Sequence, residues 1–199
     1  KRESRRYVGD YVMNEHDVVR GGNFPDEVAF GGWPLDDHNP HGMRKVGEET
    51  HPSVTIPVPV YGIPYRALYS VNVENLMFAG RNISVTHAAL SSTRVMATCS
   101  LMGQAAGAAA ALAVEKTCDP RGVYLCHMAE LQRRLMEDGC YLPGLVRKPA
   151  PTQIDLPSEQ LALLQNGWER PHAGVENRIL LPAGTRLTIT LPAPARRQA

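Results

Sequence analysis

Two aspartates, two histidines and an asparagine crowd into one turn-rich stretch, Phe30-Gly31-Gly32-Trp33-Pro34-Leu35-Asp36-Asp37-His38-Asn39-Pro40-His41-Gly42. An imidazole titrates near neutrality and can serve as acid or base. His38 is therefore the first candidate for moving a proton, and His41 a second. Long loops of this kind tend to be functional; the plainer alternative is a surface loop whose Asp and Asn side chains satisfy turn backbone groups. Asp36-x-His38-x-x-His41 also has metal-ligating residue types, but no fourth ligand stands at a sensible spacing, so no metal is expected. Arg5, Arg6 and Arg66 are the other candidates, because a guanidinium can clamp a carboxylate or polar substrate with two parallel hydrogen bonds. Ion pairs with Glu3, Asp10 or Glu74 would use them more ordinarily.

The elements that must position these groups are written between residues 75 and 115. Leu76-Met77-Phe78-Ala79 is a short apolar run closed by Gly80, the pattern of a strand buried on both faces of a parallel sheet. Such a strand opens at the carboxyl edge of the sheet, where open α/β sheets bind ligands. The stretch from Arg81 to Thr93 follows with Asn82, His87, three serines and two threonines, enough hydrogen-bonding capacity to fix a polar ligand. Ser91, Ser92 and Thr93 are expected to cap the next helix. That helix is predicted from Arg94 to about Val114, where Ala, Leu and Met dominate and no proline stands. Gly103 and Gly107 lie four apart and share a face with Cys99, Ala110 and Ala111, a face nearly free of side-chain bulk. Either a core helix packs tightly on a sheet, or another backbone or a flat ligand approaches here. Two interior glycines, each costing about 1 kcal/mol relative to alanine, suggest that close approach matters.

The string FAGRNIS-(x)2-HAAL-SSTRVMATCSLMGQAAGAAAALA resembles the C-terminal end of FAD-dependent oxidoreductases related to fumarate reductase flavoproteins, with the glutathione-reductase-type FAD fold. Upstream, Arg2-Glu3-Ser4-Arg5-Arg6 resembles the family's RESRR segment and Gly62-Ile63-Pro64-Tyr65-Arg66-Ala67-Leu68 its IPYR segment, so the likeness covers about residues 1 to 145. The resemblance implies that Gly80, Arg81 and Asn82 lie beside the cofactor, with Gly80 and Arg81 near the ribityl and pyrophosphate. It implies that Arg94, Val95 and Met96 offer helix N-terminal N–H groups to flavin N1 and O2, where negative charge accumulates in reduced flavin. Gly103 and Gly107 would let the helix pack on the cofactor-binding core, and His87 corresponds to a loop histidine near the flavin. Many relatives carry an acidic residue where Arg81 stands.

No GxGxxG follows a strand in these 199 residues, so the ADP-binding fingerprint of a dinucleotide fold is missing. With Lys1 as the first residue inside a family motif, an N-terminal portion is expected to be absent, and the chain to hold FAD weakly by itself. A net charge of +1 gives no electrostatic reason for nucleic acid or an acidic membrane. Leu101 to Val114 is shorter than the roughly 20 apolar residues that span a bilayer. Cys99, Cys118, Cys126 and Cys140 show no CxxC spacing, which argues against zinc. Cys99 reads as a small helix-face hydrophobe; Cys118 and Cys126 flank a Pro-Arg-Gly turn and could approach each other without being forced to bond.

Ala129 to Asp138 reads as a surface helix, with Leu131 and Leu135 four apart and Gly139 as its C-cap. Beyond it, Lys148-Pro149-Ala150-Pro151 reads as a linker, and two alternating apolar runs around Pro182-Ala183-Gly184 signal a hairpin. The sequence thus predicts an α/β fragment of a Rossmann-like FAD-binding domain: a substrate-side β/loop segment over 1–70, the domain's C-terminal part over 71–145, and a linker with a partial β module over 146–199. The implied reaction is hydride transfer from a small organic substrate to flavin N5. His38 would take the proton, and Arg5 and Arg66 would bind the substrate. The alternative is a non-catalytic module that binds carbohydrate or protein and keeps a flavoprotein-like core.

Overall fold

Among the described residues, the paired strands run antiparallel. The computed structural model describes residues 5–38, 54–146, 153–154, 156–164, 179, 181 and 189–190. The chain divides into two compact units, Lys1–Gly144 and Leu145–Ala199, so the stretches 1–70 and 71–144 share one unit. In the second unit, β5 (Gln153–Ile154) pairs antiparallel with β6 (Ile189–Thr190), and α6 covers Ser158–Leu164. The hairpin expected around Pro182-Ala183-Gly184 lies outside the described residues, as do Arg2 and His41.

The first unit opens with α1 (Glu15–Val19), started by a capping box in which Asn14 accepts from His16 and Asp17 N–H while Asp17 accepts from Asn14 N–H. Then come β1 (Glu27–Gly31), β2 (Leu35–Asp37), β3 (Val54–Ile56) and β4 (Tyr61–Pro64). β1 pairs with β4 and β2 with β3, both antiparallel, and β1 carries an irregularity between Glu27 and Ala29. At Gly31 a Cβ would collide with the Tyr61 ring (2.7 Å to its nearest edge carbon beyond the hydroxyl end). Only glycine lets the fully buried tyrosine lie across the strand.

The helical layer is α2 (His87–Thr93), α3 (Met96–Lys116), α4 (Pro120–Cys126) and α5 (Met128–Glu137). α3 buries Met102, Ala105, Ala109, Leu112 and Ala113, a stripe at helical spacing, and packs on β1, α4 and α5. α5 buries Leu131, Gln132 and Leu135, and the Gln132 amide donates to the carbonyls of Pro25 (2.9 Å) and Glu27 (3.0 Å) beside the irregular start of β1. The helix expected at 129–138 is therefore present one residue earlier, and Gly139 ends it with φ +89°. Cys118 and Cys126 do not flank a turn: Asp119 caps α4 by accepting from Gly122 N–H (2.6 Å), Pro120 takes the first turn, and all four cysteines are free.

Two further expectations are corrected. Leu76 to Ala79 is not a strand of a parallel sheet; it makes one antiparallel bridge, Tyr69 to Met77, with Phe78 N–H donating to Leu68 O. An apolar run does not supply parallel partners by itself; among the described residues the inter-segment backbone hydrogen bonds of this stretch go to the antiparallel 68–70 segment. Ser91, Ser92 and Thr93 cap no helix; they are the buried last residues of α2, whose cap is Thr86.

The fully buried Glu27 accepts from Gly144 N–H (2.5 Å) through Oε1, while Oε2 is buried with no hydrogen-bond partner among the described residues. Burial pushes its carboxyl from 4.5 up to about 7, against the Gly144 N–H, which favours the charged form. The folded chain holds this proton to higher pH than the unfolded chain does. Its contribution to stability is thus complete below about pH 4.5 and is lost as pH rises to about 7. Glu27→Gln is expected to remove this slope and to be more stable than the parent above pH 7 by on the order of 2 kcal/mol. Thermal melts of both proteins across that range check it; a parent that gains on the variant as pH rises would contradict the assignment.

Candidate functional site

The chemistry-bearing groups converge where β2 lies along α2. The fully buried Ser92 hydroxyl donates to Trp33 O just before β2, and its oxygen lies 2.6 Å from the Tyr61 hydroxyl. This anchors the approach to β2. Two residues further, the guanidinium of Arg94 donates to Asp36 twice, to its carbonyl and to carboxylate Oδ2, both at 3.1 Å. The same Oδ2 lies 3.1 Å from His38 Nε2. At the other end of α2, His87 Nε2 and Asp37 Oδ1 stand 2.9 Å apart as an ion-pair contact without hydrogen-bond alignment between them, and both atoms are shielded from solvent. Neighbouring residues of a strand point to opposite faces, so two adjacent carboxylates serve two different histidines.

The helix break beside this cluster sets the second part of the site. α2 begins at Thr86, whose hydroxyl accepts from Ala89 N–H (3.3 Å) and donates to Glu15 (3.1 Å). It ends in Ser91-Ser92-Thr93, residues with weak preference for helix interiors, and Ser91 turns its hydroxyl back to Ala88 O (2.6 Å). Val95 is then extended (φ −71°, ψ 148°) and serves as the N-cap of α3 with no side-chain cap bond. The first intrahelical bond is Cys99 N–H to Val95 O (2.9 Å). The N–H groups of Met96, Ala97 and Thr98 therefore have no carbonyl one turn behind them, at the positive end of a 21-residue helix. Met96 is 89% exposed, and Thr93 Oγ1 is buried without a hydrogen-bond partner among the described residues.

The turn at Gly80, Arg81 and Asn82 lies against the same helix start. Gly80 has φ +94°, Asn82 O accepts from Tyr7 N–H (2.9 Å), and the Arg81 charge is felt at the half-buried Cys99, whose thiol burial pushes up. Gly103 and Gly107 are exposed, and nothing lies within 4 Å of a Cβ built at either. With Ala110, Ala111 and Val114 they form an open apolar face. α3 is also longer than the 101–114 stretch: by length and composition it could cross a membrane, and 33% of its most apolar window is buried within the protein.

The arginines are placed differently from one another. Arg66 forks onto the buried Asp26 (Nε to Oδ2 2.9 Å, Nη2 to Oδ1 3.0 Å) and lies over the rings of Tyr11 and Tyr124. Its partner is neither Asp10 nor Glu74; Asp10 instead pairs with Arg121 (2.6 Å), which holds its carboxyl below the usual range. Arg5 is exposed. The Arg94 side chain, Ser92 and the positioning carboxylates were not separable from turn-formers by sequence, since their partners stand 58 and 59 residues away. No ion-holding group of three His, Cys, Asp or Glu side chains occurs among the described residues.

A family model described as FAD dependent oxidoreductase matches residues 1–135. The chain belongs to that family, an oxidoreductase family whose cofactor is FAD. No curated protein matches the chain, and no solved structure does. The residues fit such a cofactor in one respect: the uncapped start of α3 leaves backbone N–H groups of the kind that bind negative charge, which a reduced flavin carries.

Ser92→Ala would strand the Trp33 carbonyl and remove the oxygen that faces Tyr61. It is expected to destabilise the protein by about 2 kcal/mol and to change Trp33 fluorescence, read by denaturant titration. Unchanged stability would mean that water replaces both contacts.

Proposed function

We propose that this chain forms the isoalloxazine-side wall of an FAD site and catalyses hydride transfer from a small organic substrate to flavin N5. When bound, FAD supplies the hydride acceptor. The observation that carries this reading is the start of α3, where the N–H groups of Met96, Ala97 and Thr98 lack intrahelical partners and no side chain caps them. The resemblance of the segment around it to fumarate-reductase-like flavoproteins supports the same assignment for Arg94, Val95 and Met96.

Gly80, Arg81 and Asn82 would border the cofactor from the turn beside α3, with the Arg81 charge facing its anionic part. The bare face at Gly103 and Gly107 would receive the cofactor-binding core of the family, which also accounts for an apolar face left open here. No GxGxxG occurs in the sequence, so the ADP half would be held by residues other than these. His38 would accept the substrate proton, with His87 as the second imidazole near the flavin. Arg5, exposed, would bind the polar end of the substrate. Arg66 is engaged by Asp26, Tyr11 and Tyr124, and would act on substrate only through the turn that it braces.

The absorbance spectrum of the purified gene product that contains this chain tests the reading, beside that of the 199-residue chain with added FAD. Flavin bands are expected in the first and only weak uptake in the second; no flavin in either would remove the oxidoreductase reading. Gly107→Leu sharpens the test. Because nothing is near a Cβ at this position, the variant should keep or gain up to about 1 kcal/mol of helix stability. Its retained FAD should nevertheless fall at least tenfold in the gene product. A variant that keeps its flavin would show that nothing approaches this face.

A further inference from the structure

We propose that Asp36 is a positioning residue that holds His38 in one tautomer, with the proton on Nε2 and the lone pair on Nδ1. This rests on the proposed function only for its purpose, which is to present an imidazole to the reaction with its proton already placed. The argument itself is geometric. A carboxylate oxygen is acceptor-only, so the ring nitrogen hydrogen-bonded to Asp36 Oδ2 at 3.1 Å must bring a proton to the contact. That nitrogen is Nε2.

Arg94 makes this pair rigid. Its guanidinium donates both to the backbone carbonyl of Asp36 and to the carboxylate oxygen that faces His38, which fixes the side chain of Asp36 before any imidazole is considered. The strand that carries Asp36 is itself held to β3 through the Asp36↔Thr55 position.

Imidazole nitrogen NMR on protein labelled at histidine, at about pH 8.5 where ordinary imidazoles are neutral, reads the tautomer directly. His38→Gln assigns the ring. The unmodified protein should show His38 as Nε2–H, with slowed exchange of that ring proton. Asp36→Ala should lose the slowed proton and mix the tautomers, and Asp36→Asn should keep both, because Arg94 demands an oxygen at the shared position. If Asp36→Ala fails to fold, the parent carries the test: His38 as Nδ1–H, or an Nε2 proton that exchanges as fast as a free imidazole's, overturns the proposal. A tautomer and exchange rate that are the same in Asp36→Ala as in the parent overturn it too. A tautomer lock in a protein that takes up no flavin would support it while sinking the hydride-transfer reading.

Discussion

The chain leaves helical geometry for one extended residue at Val95, and the arrangement of the site follows from that break. Were α2 and α3 continuous, the first N–H groups of α3 would donate to the carbonyls of the preceding turn and would offer nothing to a ligand. The break is held from outside. Ser92 donates to Trp33 O, Arg94 donates to the Asp36 carbonyl and carboxylate, and both contacts bind the end of α2 to the strand that carries the histidine partners. One set of contacts therefore opens a helix N-terminus and fixes the strand whose two carboxylates meet His38 and His87.

Buried charge is handled in contrasting ways a few residues away. Asp26 is nearly inaccessible, yet its carboxylate is met by the Arg66 fork and by Arg66 N–H, so the charge is compensated where it sits. Its neighbour Glu27 has one backbone N–H and an orphaned oxygen, and burial favours the neutral acid. Asp26 stands in the turn before β1, within reach of Arg66, whereas Glu27 is the first residue of β1 and its carboxyl, among the described residues, is met only by Gly144 N–H. Asp10 follows the first pattern with Arg121 and Tyr69. These pairs brace the strands and turns under the site and leave His38 and His87 as the imidazoles beside it.

α3 serves two surfaces at once. One stripe, from Met102 to Ala113, is packed on β1, α4 and α5, while Gly103, Gly107 and Val114 remain open. A flat or backbone partner can reach such a helix without displacing anything.

Patterns local to the chain were legible in the sequence. The α5 helix and its Gly139 stop, the helix through 96–114 and the family's loop-and-helix string all depend on residues within a few turns of one another. The sequence also singled out His38 and His87 by type and by resemblance. It misread 76–79 as a buried parallel strand because an apolar run does not say whether neighbouring strands exist, and it misread 91–93 as caps because the same hydroxyls suit a helix start or a buried helix end. That Asp37 meets His87, and that Arg94 reaches back to Asp36, was decided by tertiary structure alone. Those contacts join residues 50 or more positions apart, and no spacing along a chain encodes a distance that only folding creates.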